Sequence, residues 1–346
     1  MEEQETQSRK QQHVELCVNE NVTFHKKTNG FENYGFIHNA LPECNFSEVS
    51  TKTKFLGVDC SMPLLISCMT GGYPDAERIN RELAEACETL KLPMGVGSQR
   101  QALENTSFHR SFQIVRESAP SIPILGNIGA PEVAKMRSSS PIQRLIDLIA
   151  ANALVIHLNP LQELLQPEGS PNFRGVLNGI EQLVKELEIP VIVKEVGAGI
   201  SGDVAKRLLS VGVSGIDVAG AGGTSWAGVE ILRNDEKESL SQFWDWGIPT
   251  ADCLEQIAPL KSDYTFTLIS SGGISTAMEI ALSLALGADF CASARPLLTA
   301  LITGGQKQLH DVLGALQLDL RRIQFLVGAV HTVDLRNVRI SKKSIK

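Results

Sequence analysis

The chain has 346 residues and carries 32 lysines and arginines against 39 aspartates and glutamates, a formal net charge of −7. That length suits one large α/β barrel or two ordinary domains, and the acidic balance, without a long basic run, excludes an electrostatic footprint for nucleic acid. Seven cysteines without a C-x-x-C pair argue against a disulfide framework, and no apolar stretch nears the roughly 20 residues of a membrane span, so a soluble cytoplasmic protein is expected.

In chain order, residues 1–62 are too polar for a core domain and read as an N-terminal arm with a short antiparallel cover over the barrel. From residue 63 onward, short runs rich in Val, Ile and Leu alternate with longer helix-like stretches, the pattern of parallel strands and crossover helices. The runs are 63–69, 94–98, 123–128, 153–159, 190–196, 215–220, 267–273 and 289–294. Between them, residues 76–90 place Ile79, Leu83, Ala86 and Leu90 on one helical face. Eight β/α repeats predict a TIM (β/α)8 barrel over 63–346. A doubly wound sheet would need a glycine-rich dinucleotide turn after its first strand, and Met69-Thr70-Gly71-Gly72 is not one. Residues 228–250, with Trp244 and Trp246, read as an extended loop after the sixth strand.

Catalysis in such barrels takes place at the carboxyl ends of the strands. Those ends are polar or glycine throughout: Thr70-Gly71-Gly72, Ser98-Gln99-Arg100, Asn127, His157 with Asn159, Lys194-Glu195, Gly220 to Thr224, Ser271-Gly272-Gly273 and Ser293-Ala294. Gly272 and Gly273 after the seventh strand, with small residues after the eighth, suit a phosphate held by backbone N–H groups. The segment from His157 to Glu163 follows an apolar run and combines imidazole, carboxamide and carboxylate. Such a set can hold a phosphorylated substrate, position a hard cation and move a proton; it also reads as a plain strand end with a helix cap. Lys194 ends an apolar strand and has three readings, the first ranked highest: a structural pair with Glu195 or another acid, a Schiff-base nucleophile, or a cation at the pyrimidine edge of a flavin.

Taken together, these residues resemble type II isopentenyl diphosphate isomerase, the FMN-dependent form, over essentially the whole chain. The resemblance rests on Arg9-Lys10 with His13, HNALPE at 38–43, MTGG at 69–72, GVGSQR at 95–100, GNIGA at 126–130, HLNPLQE at 157–163, VKEVGAGIS at 193–201, and DVAGAGGTSW at 217–226 followed by Glu230. It implies FMN against Met69, Thr70, Gly71, Ser98, Asn127, Lys194 and Thr224. The FMN phosphate is then expected at Gly272, Gly273, Ala292, Ser293 and Ala294, and the substrate diphosphate at Arg9, Lys10, Ser98, Arg100, His157, Asn159 and Gln162. Mg²⁺ is expected on Glu163. By the same resemblance the reaction interconverts isopentenyl and dimethylallyl diphosphate, NADPH reduces the flavin, the reduced form is active, and the chain forms a homo-oligomer, a tetramer or octamer.

An unactivated alkene is a very weak base, so a reduced flavin that delivers a proton and faces a developing cation is a reasonable solution. Lys194 would then stabilise charge on the reduced ring, and Gln162 is a candidate for orienting the substrate or relaying the second proton. His157 is expected on the diphosphate in preference to general-base work. Glu230 and Trp226 stay unassigned. The helix after the seventh strand, beginning Ser275-Thr276-Ala277, is less basic than in many relatives, which bears on phosphate affinity. Competing functions are a 2-hydroxy acid oxidase or dehydrogenase, whose His-Gly-Gly-Arg stretch the loop at 219–226 lacks, a Schiff-base aldolase on Lys194, and a non-catalytic flavin or phosphometabolite binder.

Overall fold

The computed structural model describes residues 2–343. Eight parallel strands, β1 (Leu64–Ile66), β2 (Met94–Gly95), β3 (Ile124–Gly129), β4 (Ala153–His157), β5 (Val191–Lys194), β6 (Gly215–Asp217), β7 (Thr267–Ser270) and β8 (Phe290–Ser293), close in sequence order, β8 pairing with β1. Each predicted run meets one strand, β3 reaching one residue past its run to Gly129. The other strands are shorter than their runs because the polar and glycine residues at their carboxyl ends leave the ladder to form the mouth.

Side chains alternate between the two faces of each strand, and this parity decides what goes where. Leu64, Ile66, Ile124, Leu154, Ile156, Val191, Val193 and Ile216 point outward and are buried with the surrounding helices. Leu65, Leu125, Ala153, Val155, Ile192, Ile269, Phe290 and Ala292 point inward and fill the barrel. Asn127, His157 and Lys194 each stand two residues beyond an inward apolar residue, so the same parity carries them into the mouth.

Residues before the barrel do three different jobs. A hairpin, Thr53–Phe55 with Val58–Cys60, plugs the amino end of the barrel: Phe55 joins the interior cluster, 4.7 Å from Phe290 between ring centroids. Burying such a ring is worth about 1.5–3 kcal/mol, so this floor is part of the core. Tyr34–Phe36 pairs antiparallel with Ile340–Lys342 near the other end of the chain. The segment expected as an arm is, in the structure, an α-helix over Glu2–Asn19 whose carboxyl end is tied to Arg295, with Nε donating to Cys17 O at 2.7 Å.

Residues 228–250 also differ from the extended loop expected. They hold the end of a helix, Trp226–Arg233, a short helix, Lys237–Leu240, and a 3-10 turn, Ser241–Phe243. Trp244 is buried, donates Nε1–H to Thr23 O at 2.8 Å and stacks on His25 at 4.4 Å, so an indole fixes this segment to residues 23–25. Among the described residues no helix is long and apolar enough to cross a membrane.

Candidate active site

A cavity of about 410 Å³ opens at the carboxyl ends of the strands, in the range of small-molecule sites. Every residue assigned above to FMN, diphosphate or metal lines it, with contributions from all eight strand ends and from the Glu2–Asn19 helix. Strand parity brings Asn127, His157 and Lys194 there, and the Glu2–Asn19 helix brings Arg9 and Lys10.

One half of the cavity is backbone-rich. The loops after β6 and β7 pack main chain on main chain: a β-carbon on Gly272, whose φ is 100°, would lie 2.1 Å from Gly220 O, and one on Gly223 would lie 2.4 Å from Gly273 N. No other residue fits these positions. Thr250 Oγ1 donates to Gly272 O at 2.6 Å, and Asn29 Nδ2 to Gly273 O at 2.9 Å. With those carbonyls held from behind, the cavity side of the turn is glycine main chain, with Ala292, Ser293 and Ala294 beside it. Glu279 caps the following helix by accepting Ser275 N and Thr276 N, both at 2.8 Å, so this less basic helix has its own carboxylate at its first turn.

Lys194 stands at the centre. Its Nζ donates to the backbone O of Glu195 at 2.6 Å. Of the acids the first-ranked structural pair allowed, Glu195 is not the one: its carboxylate turns away to accept the N–H groups of Val196 and Gly197, both at 2.6 Å. With Ala198 N–H as a third donor, neighbouring amides satisfy this carboxylate, and the buried Lys194 ammonium turns to a carbonyl. The acid facing Lys194 is the other one that reading left open, Asp217, its partner across the β5–β6 ladder. Burial pushes the Asp217 carboxyl up, opposed by Lys194 and by a hydrogen bond from Ser271.

On the other side of Lys194, His157 Nδ1 lies 2.8 Å from Asn127 Oδ1. Because Asn127 Nδ2 donates to Val96 O at 3.2 Å, its Oδ1 must accept, so His157 carries its proton on Nδ1. Burial, then Lys194 and Lys10, lower the imidazole to about 3. The ring is neutral near pH 7 and Nε2 presents a lone pair.

The second half of the cavity is charged. Lys10 Nζ donates to Gly71 O at 2.7 Å and Ser98 O at 3.0 Å, and burial, reinforced by Arg9, lowers it to about 7. Arg100 Nε lies 3.1 Å from Glu104 Oε1 and 3.5 Å from Glu132 Oε1. Glu163 Oε1 accepts Asn159 Nδ2 at 3.0 Å, and its Oε2 accepts Ser170 N at 2.8 Å. Asn159 occupies the N-cap of the helix Pro160–Leu165 without capping it, and its buried Oδ1 has no hydrogen-bond partner among the described residues.

A family model described as FMN-dependent dehydrogenase matches residues 3–116 and 162–342. A protein of Chlorobaculum parvum described as isopentenyl-diphosphate delta-isomerase is 48% identical, over 98% of both chains, and one of Nostoc sp. with the same description is 42% identical, over 96% of this chain and 95% of its own. The chain belongs to the FMN-dependent dehydrogenase family, among the type II isopentenyl-diphosphate delta-isomerases. Solved structures with the same fold include a Pediococcus acidilactici lactate oxidase, at 17% identity and a TM-score of 0.70 over 98% of this chain and 94% of that one. A flavocytochrome b2 matches at 17% identity and a TM-score of 0.69, over 95% of this chain and 82% of that one.

The enzyme's cavity fits the family cofactor, because the glycine turns after β6 and β7 leave no β-carbon between main chain and cavity and Lys194 lies across from them. It also fits a single hard cation. Glu163 supplies one carboxylate and Asn159 an unpaired oxygen, and Mg²⁺ commonly takes one or two carboxylates and completes its shell with water and phosphate. Sequence reading of the enzyme missed Asp217, Glu132 and Arg295. Asp217 was within reach, since it shares inward parity two residues beyond Gly215; Glu132 and Arg295 sit in first helical turns after β3 and β8, where no periodicity marks them.

Proposed function

We propose that the enzyme interconverts isopentenyl and dimethylallyl diphosphate, with FMN in its reduced form serving acid–base chemistry and Mg²⁺ holding the diphosphate. The observation that carries this reading is one cavity that brings glycine turns and Lys194 together with Arg9, Lys10, Arg100 and Glu163. When bound, reduced FMN supplies a proton donor and an electron-rich ring face suited to an alkene that passes through cationic character. Met69, Thr70, Gly71, Ser98, Asn127 and Thr224 would line the flavin, and Gly272, Gly273 and Ala292 to Ala294 its phosphate. Lys194 supplies positive charge beside the ring, which favours the anionic reduced state.

Arg9, Lys10 and Arg100 neutralise a diphosphate, with Ser98, His157 and Asn159 beside it and Glu163, assisted by Asn159 Oδ1, as the Mg²⁺ ligand. Gln162 is the group at the substrate end able to orient the alkene or pass the second proton. NADPH as the reductant, a cytoplasmic location and assembly into a homo-oligomer, a tetramer or octamer, belong to the same reading.

The test uses the holoenzyme under anaerobic conditions. Reduced once with NADPH or dithionite, it should complete many turnovers of isopentenyl diphosphate without further reductant, and in D₂O the product should carry deuterium in its new methyl group. One NADPH consumed per product molecule would reject the reading in favour of net redox chemistry.

A further inference from the structure

Glu230 lies behind the cavity wall on the helix Trp226–Arg233 and is wholly buried. Its Oε1 is 2.9 Å from His13 Nε2 and accepts Gln162 Nε2 at 2.9 Å, while its Oε2 accepts Arg233 Nη1 at 2.6 Å. Burial pushes this carboxyl up, but the contact and charge of His13, then the hydrogen bond from Gln162, then the charge of Arg233 outweigh it and leave the group below its ordinary value. The charged and titratable groups around it are His13, Arg9 and Cys17 from the Glu2–Asn19 helix, Arg233 on its own helix, and Glu168 from the turn beyond Pro160–Leu165.

Arg233 is outside the cavity, with 8% of its side chain exposed. Its remaining donors reach two other segments: Nε gives a hydrogen bond to Gln12 Oε1 at 3.1 Å, and Nη2 to Glu168 Oε1 at 2.8 Å. One guanidinium therefore joins the three segments that meet around Gln162. A carboxamide has a donating end and an accepting end. With Nε2 directed at an ionised Glu230, Gln162 keeps Oε1 toward Asn159, 3.4 Å from its Nδ2. If Glu230 were protonated it would become a donor itself, and the favourable arrangement would reverse the amide.

We infer that Arg233 is a positioning residue for the isomerisation: it keeps Glu230 an acceptor and so holds the Gln162 carboxamide with its oxygen toward the substrate. The inference rests on the isomerase reading, in which Gln162 orients the alkene or passes the second proton.

The experiment is a double-mutant cycle on reduced, FMN-loaded enzyme assayed with isopentenyl diphosphate. Arg233→Gln should lower kcat about tenfold or more with KM changed less than about threefold, the signature of a lost transition-state interaction. The acid limb of its kcat profile should move to higher pH, since the charge opposing burial is gone, and Arg233→Lys should recover most of the rate. In a Glu230→Gln background, either Arg233 substitution should cost nothing further. Additive losses in the cycle, or an acid limb unmoved in Arg233→Gln, overturn the inference. If Arg233→Gln yields no folded flavoprotein, the Arg233→Lys cycle decides: whatever loss Lys brings must vanish in the Glu230→Gln background, and its persistence there overturns the role. A parent enzyme without turnover rejects the isomerase reading itself, whereas an active parent with indifferent variants rejects only Arg233.

Discussion

In the proposed reading Lys10 and His157 are placed for an anion before the anion arrives. Lys10 is lowered from its ordinary value to about 7 by burial and by Arg9, and His157 to about 3 by burial, Lys194 and Lys10, so near neutral pH the ligand-free mouth carries less positive charge than its residue types suggest. A bound diphosphate favours the charged forms and raises both groups, which means binding takes up protons. For Lys10 the window is set by the values themselves: at pH 8 the free side chain is mostly neutral and the bound one charged, whereas at pH 6 it is charged in both states. Titration calorimetry with inorganic pyrophosphate and Mg²⁺, repeated in buffers of different ionisation enthalpy, should show wild-type uptake exceeding that of Lys10→Met by up to about one proton at pH 8 and by almost none at pH 6. The comparison cancels protons carried by pyrophosphate itself. Equal uptake by the two proteins at pH 8 would mean that the lysine does not meet the anion.

At the scale of elements, the helix Glu2–Asn19 shows where sequence reading runs out. Its apolar residues are confined to Val14, Leu16, Cys17 and Val18 near the carboxyl end, and the rest is polar, so composition alone reads as an unstructured arm. What orders it lies far away in the chain: Gly71 and Ser98 under Lys10, Glu230 beside His13, and Arg295 donating to Cys17 O and Glu20 O in its last turn. The barrel strands are legible for the opposite reason, since each advertises itself locally by a short apolar run and a polar or glycine end, and parity then places Asn127, His157 and Lys194. Glu230 was visible as a residue and opaque as a role, because its partners are at 13, 162 and 233. The docked helix brings Arg9 and Lys10 to the anion half without forming any barrel core, so removing residues 1–12 should raise the KM for isopentenyl diphosphate at least about tenfold, or abolish turnover, with flavin content and thermal midpoint close to wild type. Unchanged kinetics in the truncated enzyme would remove Arg9 and Lys10 from the substrate site.

The whole molecule shares its barrel with oxidases at 17% identity, among them a lactate oxidase. A barrel closed by apolar layers and floored by Phe55 fixes the strand ends in space, and the loops beyond them are free to carry different chemistry. The decisive stretch is the one after β6. Hydride abstraction from a 2-hydroxy acid needs a base for the hydroxyl proton and a cation for the carboxylate, and 219–226 reads Ala-Gly-Ala-Gly-Gly-Thr-Ser-Trp, with neither histidine nor arginine. The glycines there are consumed in main-chain packing against Gly272 and Gly273, and Ser225 is turned inward to Trp244 O at 2.7 Å, so the loop offers no base to the cavity. His157 does not replace it: burial, Lys194 and Lys10 lower its imidazole to about 3, too weak a base to hold the hydroxyl proton near neutral pH. Mixed anaerobically with excess lactate or mandelate, the oxidised holoenzyme should therefore keep its flavin absorbance over hours, while NADPH or dithionite bleaches it. Bleaching by either hydroxy acid on the timescale of seconds would show that this mouth abstracts hydride after all, and would return the enzyme to the redox chemistry of its structural neighbours.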